Sequence, residues 1–104
     1  MDSRALKDIA VNKIIELFGM ENYRDWKIDV DVFANDNLIQ CERYKFPDVY
    51  FNLYYDGKIQ VEIFLPSDGD ILSYNFDNQT FAKMFYESHC DHLEGIRSFI
   101  KESI

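Results

Sequence analysis

Chemistry in a protein needs ionisable or nucleophilic side chains held together, and this chain offers two groupings of that kind. Near its C-terminal end Glu87, His89, Cys90, Asp91 and His92 fall within one and a half helical turns. His89 and His92 are three residues apart, the spacing at which two imidazoles share a helix face and could begin a zinc site. A closed site needs further ligands, and no second cluster supplies them at a convincing spacing. The pattern therefore reads as a polar helix face with one histidine against the core. Cys90 beside two histidines suggests a thiolate nucleophile, yet adjacency in a helix does not aim an imidazole at a thiol. The second grouping is Asp29 and Asp31, on one face of a strand and ~7 Å apart, as in pairs that hold a divalent cation. Such a site also needs a third ligand and a pocket, and alternating Asp and Lys more simply mark the solvent face of a strand. The glycines Gly19, Gly57, Gly69 and Gly95 stand singly, so no glycine-rich loop cradles a phosphate. No catalytic set and no cofactor are expected.

Charge points to binding instead. The formal net charge is −8 over 104 residues, and residues 26 to 77 carry ten acidic against four basic side chains, −6 of the total. Nucleic acid and anionic membranes both demand clustered positive charge, so neither is expected as a direct partner. The natural complement is a basic protein. The opening residues Met1-Asp2-Ser3-Arg4-Ala5 precede no apolar run of the kind that exports a chain, and no stretch approaches the ~18 apolar residues of a membrane span, so a cytoplasmic location is the expectation. Cys41 and Cys90 are too few and too far apart for a disulfide framework and are read as free thiols.

The elements that must position these residues follow from periodicity. Leu6, Ile9, Ala10, Ile14, Leu17 and Phe18 recur at three- and four-residue spacing, with Ser3 or Asp2 as N-cap and Gly19 where a C′ glycine belongs. From Trp26 the period changes to two: Trp26, Ile28, Val30 and Val32 alternate with Lys27, Asp29 and Asp31. Asn35-Asp36-Asn37 forms a turn, and further strands are predicted over 38–46, 49–54, 58–65 and 71–76, separated by Pro47-Asp48, Asp56-Gly57 and Pro66-Ser67-Asp68-Gly69-Asp70. A two-residue loop at Asp56-Gly57 would set Leu53 opposite Gln60. A three-residue loop with Gly57 left-handed sets Leu53 by Ile59, Phe51 by Val61 and Val49 by Ile63, which segregates the faces.

A final helix over 79–102, capped by Asp77 or Asn78, carries Phe81, Met84, Phe85, Leu93, Ile96, Phe99 and Ile100 as its apolar stripe. At 1.5 Å per residue it would run ~36 Å, long beside strands of ~20 Å. A break near Cys90-Asp91, with Asp91 capping and Glu94 reaching back, is therefore expected. The predicted class is α+β in one domain spanning 1–104: a helix, a five-stranded antiparallel meander and a C-terminal helix, both helices on the face of Ile28, Val30, Phe51 and Val61.

The opposite face would then carry Tyr44, Tyr50, Asn52, Tyr54 and Tyr74 among charged and amide side chains. Tyrosine is favoured at interface centres and acids steer a basic partner, so the expected partner-binding set is Asp29, Asp31, Glu42, Tyr44, Tyr50, Tyr54, Glu62, Asp68 and Asp70. The expected function is that of a small acidic inhibitor. It would plug a basic protein's active surface, as immunity proteins do for bacterial toxins that cut nucleic acid. The alternatives are an acidic adaptor or secretion-chaperone-like dimer, and a small metal-dependent enzyme using Asp29, Asp31, His89 or His92.

Overall fold

A computed structural model describes residues 3–31, 38–54 and 57–103, with the side chains of Ser3, Asp31 and 99–103 left aside. The elements run α1 (Ser3–Phe18), a 3-10 helix (Met20–Asp25), β1 (Trp26–Asp31), β2 (Leu38–Arg43), β3 (Val49–Leu53), β4 (Ile59–Leu65), β5 (Asp70–Phe76) and α2 (Gln79–Ser103). The strands form one antiparallel sheet in the order β1-β2-β3-β4-β5, the predicted meander. Among the described residues no helix is long and apolar enough to cross a membrane.

The α1 residues Leu6, Ala10, Ile14 and Phe18 are buried at four-residue steps, one stripe of a helix laid on a sheet. Ile9, expected in that stripe, is half exposed instead. Gly19 ends the helix at φ 96°, its N–H donating to the Ile15 carbonyl at 2.9 Å, and Asn22 Nδ2 donates to the Phe18 carbonyl at 2.7 Å. Asp2 lies outside the described residues, as do Val32, the Asn35-Asp36-Asn37 turn, and Tyr55 and Asp56 of the β3–β4 loop.

Around that loop the register is the segregated one: Leu53 pairs with Ile59, Phe51 with Val61 and Val49 with Ile63. Tyr54 N–H donates to the Lys58 carbonyl at 3.0 Å, and Gly57, at φ 93°, donates to the Tyr54 carbonyl at 3.0 Å. A side chain at Gly57 would force a left-handed backbone that L residues rarely adopt, so glycine is what makes the three-residue connection cheap. Val49, Phe51, Leu53, Ile59, Val61 and Ile63 are all buried toward the helices.

Two expectations about α2 are corrected. The helix continues unbroken from Gln79 to Ser103, and Asp91 caps nothing within it. Asn78 caps its start, its Oδ1 accepting from Phe81 N–H at 3.0 Å. Packing beyond the sheet removes the need for a break: Glu94 meets Lys45 at 3.2 Å, and Arg97 lies over the Phe46 ring at 5.0 Å while donating to the Lys45 carbonyl at 3.0 Å. The buried stripe also differs from the predicted one. Ala82, Tyr86 and Cys90 face the core, Phe85 and Leu93 flank it, and Phe81, Met84 and Ile96 are exposed. A stripe that includes alanine and cysteine lets the helix approach the sheet closely, which two Phe rings and a Met would prevent.

Phe51 is fully buried between helices and sheet. Phe51→Ala is expected to cost ~3–5 kcal/mol of stability, through lost transfer energy and the cavity left behind. Urea unfolding of the two proteins reads this as a lowered midpoint at unchanged slope, and a midpoint equal to wild type contradicts the assignment.

Candidate functional site

Period-two alternation sends every second strand residue away from the helices, and antiparallel pairing lines these up in rows across the sheet. One row runs Lys27, Glu42, Tyr50, Glu62 and Ser73. The next runs Asp29, Gln40, Asn52, Gln60 and Asn75. The described helices pack on the other face. Four members of the expected binding set, Asp29, Glu42, Tyr50 and Glu62, thus meet in two adjacent rows, and Tyr54 joins them by donating from its hydroxyl to Gln60 Oε1 at 3.2 Å.

The rows are knitted together. Asn52 Nδ2 donates to Glu62 Oε1 and to Gln60 Oε1, the latter at 3.4 Å, and Gln60 Nε2 donates to Asn75 Oδ1 at 3.2 Å. At the β1 side Lys27 Nζ is 3.6 Å from Asp29 and 4.0 Å from Glu42. Asn52 is fully buried although it points away from the helices, its amide held under the longer side chains that it bonds. Sequence reasoning placed Asn52 on this face and missed its burial, since alternation reports direction and not the reach of neighbours.

Two carboxylates on one tyrosine have an electrostatic consequence. Burial pushes the Tyr50 hydroxyl above its ordinary range, and Glu42, Asp48 and Glu62 push it further, with Lys27 pulling the other way. Glu42 is raised as well, first by burial and then by Asp29 and Asp48, against the pull of Lys27. The row is therefore negative and partly desolvated, an arrangement that favours an incoming cation or a donor aimed at the carboxylates.

The remaining members of the set lie elsewhere. Tyr44 is exposed in the turn after β2, on a groove of about 430 Å³ that it shares with Asp25, Arg43, Lys45, Asp91 and Glu94. Asp68 sits in the β4–β5 turn, and Asp70 opens β5 opposite Leu65. The Asp31 side chain lies outside the described residues; its backbone pairs with Leu38. Tyr74, expected on the open face, is corrected: it pairs with Val61 and packs on Phe85 of α2 at 4.8 Å. Its position opposite a core valine sets its direction, a fact that only the β4–β5 register supplies.

The candidate metal and nucleophile residues separate. Among the described residues no three His, Cys, Asp or Glu side chains are grouped to hold a metal ion. His89 lines a groove with Phe46, Ile63 and Leu93, its proton affinity lowered by burial and then by His92, whereas His92 is exposed. Cys90 turns into the core beside Tyr86, and Cys41 is buried in β2. Burial, with Asp29 nearby, pushes the Cys41 thiol up to about 12, and burial raises Cys90 too, so both are protonated and poor nucleophiles at neutral pH.

Glu42 gives the face a pH signature. A carboxyl whose pKa is raised on folding stabilises the fold most below the ordinary carboxylate range and loses that contribution as pH rises through the raised value. Glu42→Gln, which cannot ionise, is expected to raise the urea midpoint at about pH 7 and to leave it unchanged near pH 3.5, below the ordinary carboxylate range. A lower midpoint at pH 7 would show instead that attraction to Lys27 outweighs burial. Comparison of the chain with protein-family models, with curated proteins and with solved structures finds no match.

Proposed function

We propose that this protein works by binding a basic protein, as a stoichiometric inhibitor of the immunity-protein kind, and that the open sheet face makes the contact. The observation that carries this reading is the row in which Tyr50 stands between Glu42 and Glu62. A half-buried tyrosine offers apolar area with a polar tip, the residue type favoured at interface centres. The carboxylates beside it complement Lys or Arg on a partner, and the surplus of acid over the whole chain steers such a partner from a distance. Proteins that cut nucleic acid present basic surfaces to an anionic substrate, so a toxin of that class is the partner whose active surface this face would occlude. The hydrogen-bonded rows serve the same end. Side chains already held by Asn52 and Gln60 lose little further entropy on binding.

The test begins with capture of the partner from the native cytosol by the tagged protein, identification by mass spectrometry, and association kinetics at several salt concentrations. The partner is expected to be basic. Asp29→Lys is expected to slow association and flatten its salt dependence with little change in dissociation. Tyr50→Ala is expected to speed dissociation, costing at least ~2 kcal/mol if the ring is buried at the centre of the contact. Unchanged kinetics for both variants, with binding abolished by substitutions on α2, would move the interface to the helices and overturn the proposal.

A further inference from the structure

The two edges of the sheet are unequal. β1 ends it with Lys27 and Asp29 on alternate positions, charges of the kind that keep an edge strand from pairing with another chain. β5 ends it with Asp70-Ile71-Leu72-Ser73-Tyr74-Asn75-Phe76, which has no charge after its first residue, no proline and no glycine. It pairs with β4 along its whole length, so alternate N–H and C=O groups point outward, and among the described residues no further strand receives them.

The helix above continues this character. Phe85 packs on Tyr74 and Phe76, and Phe81 lies one turn earlier on the same flank. Helical phase places Ser88, His92 and Ile96 further along it. The described charged side chains of α2 take other directions: Lys83 toward the Phe18 ring and Glu87, Asp91 into the groove with Asp25 and Arg43, Glu94 toward Lys45, and Arg97 over Phe46. A chain that is 29% charged therefore presents one flank free of Asp, Glu, Lys and Arg among the described side chains of β5 after Asp70 and the adjoining side of α2.

We propose that this flank is the contact between two copies of the chain, joined antiparallel through β5 about a twofold axis at Ser73 into a ten-stranded sheet. Charge selects a copy as the occupant. Two molecules at −8 repel wherever acids face each other, and this flank is where they approach without doing so. A basic partner, in contrast, gains nothing from a surface with no carboxylate. Area agrees. Ile71, Leu72, Tyr74, Phe81, Met84 and Ile96 remain 58, 40, 40, 62, 60 and 43% exposed. Leaving out Met84, which helical phase turns toward the side of Asp91 and away from β5, and with ~150–250 Å² for a whole aromatic side chain, these amount to several hundred Å², the order of the ~800 Å² that one partner gives to a standard interface. Pairing about Ser73 sets Leu72 against the other copy's Tyr74, twice, on the helix face, and sets Asp70 against Phe76 and not against Asp77. The charged β1 edge rejects head-to-tail addition, so the contact closes at two copies. Both acidic faces stay open in the pair, and the inference is independent of the function proposed above.

Sedimentation equilibrium from micromolar to hundreds of micromolar protein tests it. Wild type is expected at twice the 12.4 kDa chain mass at the higher concentrations. Ser73→Lys places two like charges at the axis and is expected to halve that mass while the far-UV circular dichroism stays unchanged, since Ser73 is exposed. Phe81→Lys, at another exposed position, is expected to weaken the pair in the same way. A wild-type chain that stays at 12.4 kDa throughout, a mass that climbs past two copies, or a Ser73→Lys protein that remains paired overturns the proposal.

Discussion

Four aromatic rings from four different elements meet at the centre of this protein, and the rest of the architecture is arranged around their contact. Phe18 closes α1, Trp26 opens β1, Phe51 lies mid-β3 and Tyr86 lies in the first half of α2. Every pair among them is in ring contact, from 4.8 Å for Phe18 and Trp26 to 6.3 Å for Trp26 and Phe51. Most of the pairs are edge-to-face or tilted, the arrangements that the ring quadrupole favours. Because the rings come from distant parts of the sequence, the cluster can form only when both helices are on the sheet. Tyr86 adds direction to the packing. Its hydroxyl donates to the Val49 carbonyl at 3.3 Å and accepts from Arg43 N–H at 3.4 Å, which fixes α2 over the β2–β3 end of the sheet. Arg43 in turn lies over the Trp26 ring at 5.6 Å.

Concentrating the apolar side chains on one face leaves the other to polar chemistry. An uncovered sheet face would ordinarily be fully wet, yet here Asn52 is buried and Glu42 and Tyr50 are half-buried, because long side chains in adjacent rows lean over one another. Crossing from the core to this face takes only one residue. Cys41 packs among the aromatic side chains while its neighbour Glu42 stands beside Tyr50, and the Asp29 charge is felt by the Cys41 thiol through the thickness of the sheet. A face that is negative, partly dry and internally hydrogen-bonded differs from a solvated one in that its carboxylates keep unspent affinity for a cation.

Charge is sorted across the whole molecule. Ion pairs gather at the β1 side through Lys27, along α2 at Lys83 and Glu87, and at its overhang through Lys45 and Glu94. The β5 flank has apolar and neutral side chains instead. A sheet protein meets the problem of its edges by charge at one end, and the contrast between the two ends is the feature that distinguishes this surface from a uniformly acidic one.

Strand number, the meander and the β3–β4 register were legible from local pattern alone, because alternation and turn chemistry are properties of neighbouring residues. The β3–β4 register shows this best: only a three-residue connection with a left-handed Gly57 keeps Phe51, Leu53 and Val61 on one face, and the pairing is the one found. The face of the candidate site followed from the same logic, so Asp29, Glu42, Tyr50 and Glu62 could be assigned to one side of the sheet, while their alignment in rows came from the β1–β2 and β2–β3 pairing. What local pattern could not reach was each choice settled by distant partners. Helix α2 carries more apolar residues than one stripe can bury, and the stripe of Ala82, Tyr86 and Cys90 prevailed because its shape fits under the sheet and meets Trp26 and Phe51. Its unbroken length depends on Lys45 and Phe46, side chains that a helix read by itself does not contain. Tyr74 faces inward because it stands opposite Val61, and Asn52 is dry because Glu62 and Gln60 arch over it. Periodicity, which is written along the chain, set which residues share a strand or helix face. Which of those faces is covered, and by what, was decided only by tertiary packing, since burial is a property of the neighbours across space.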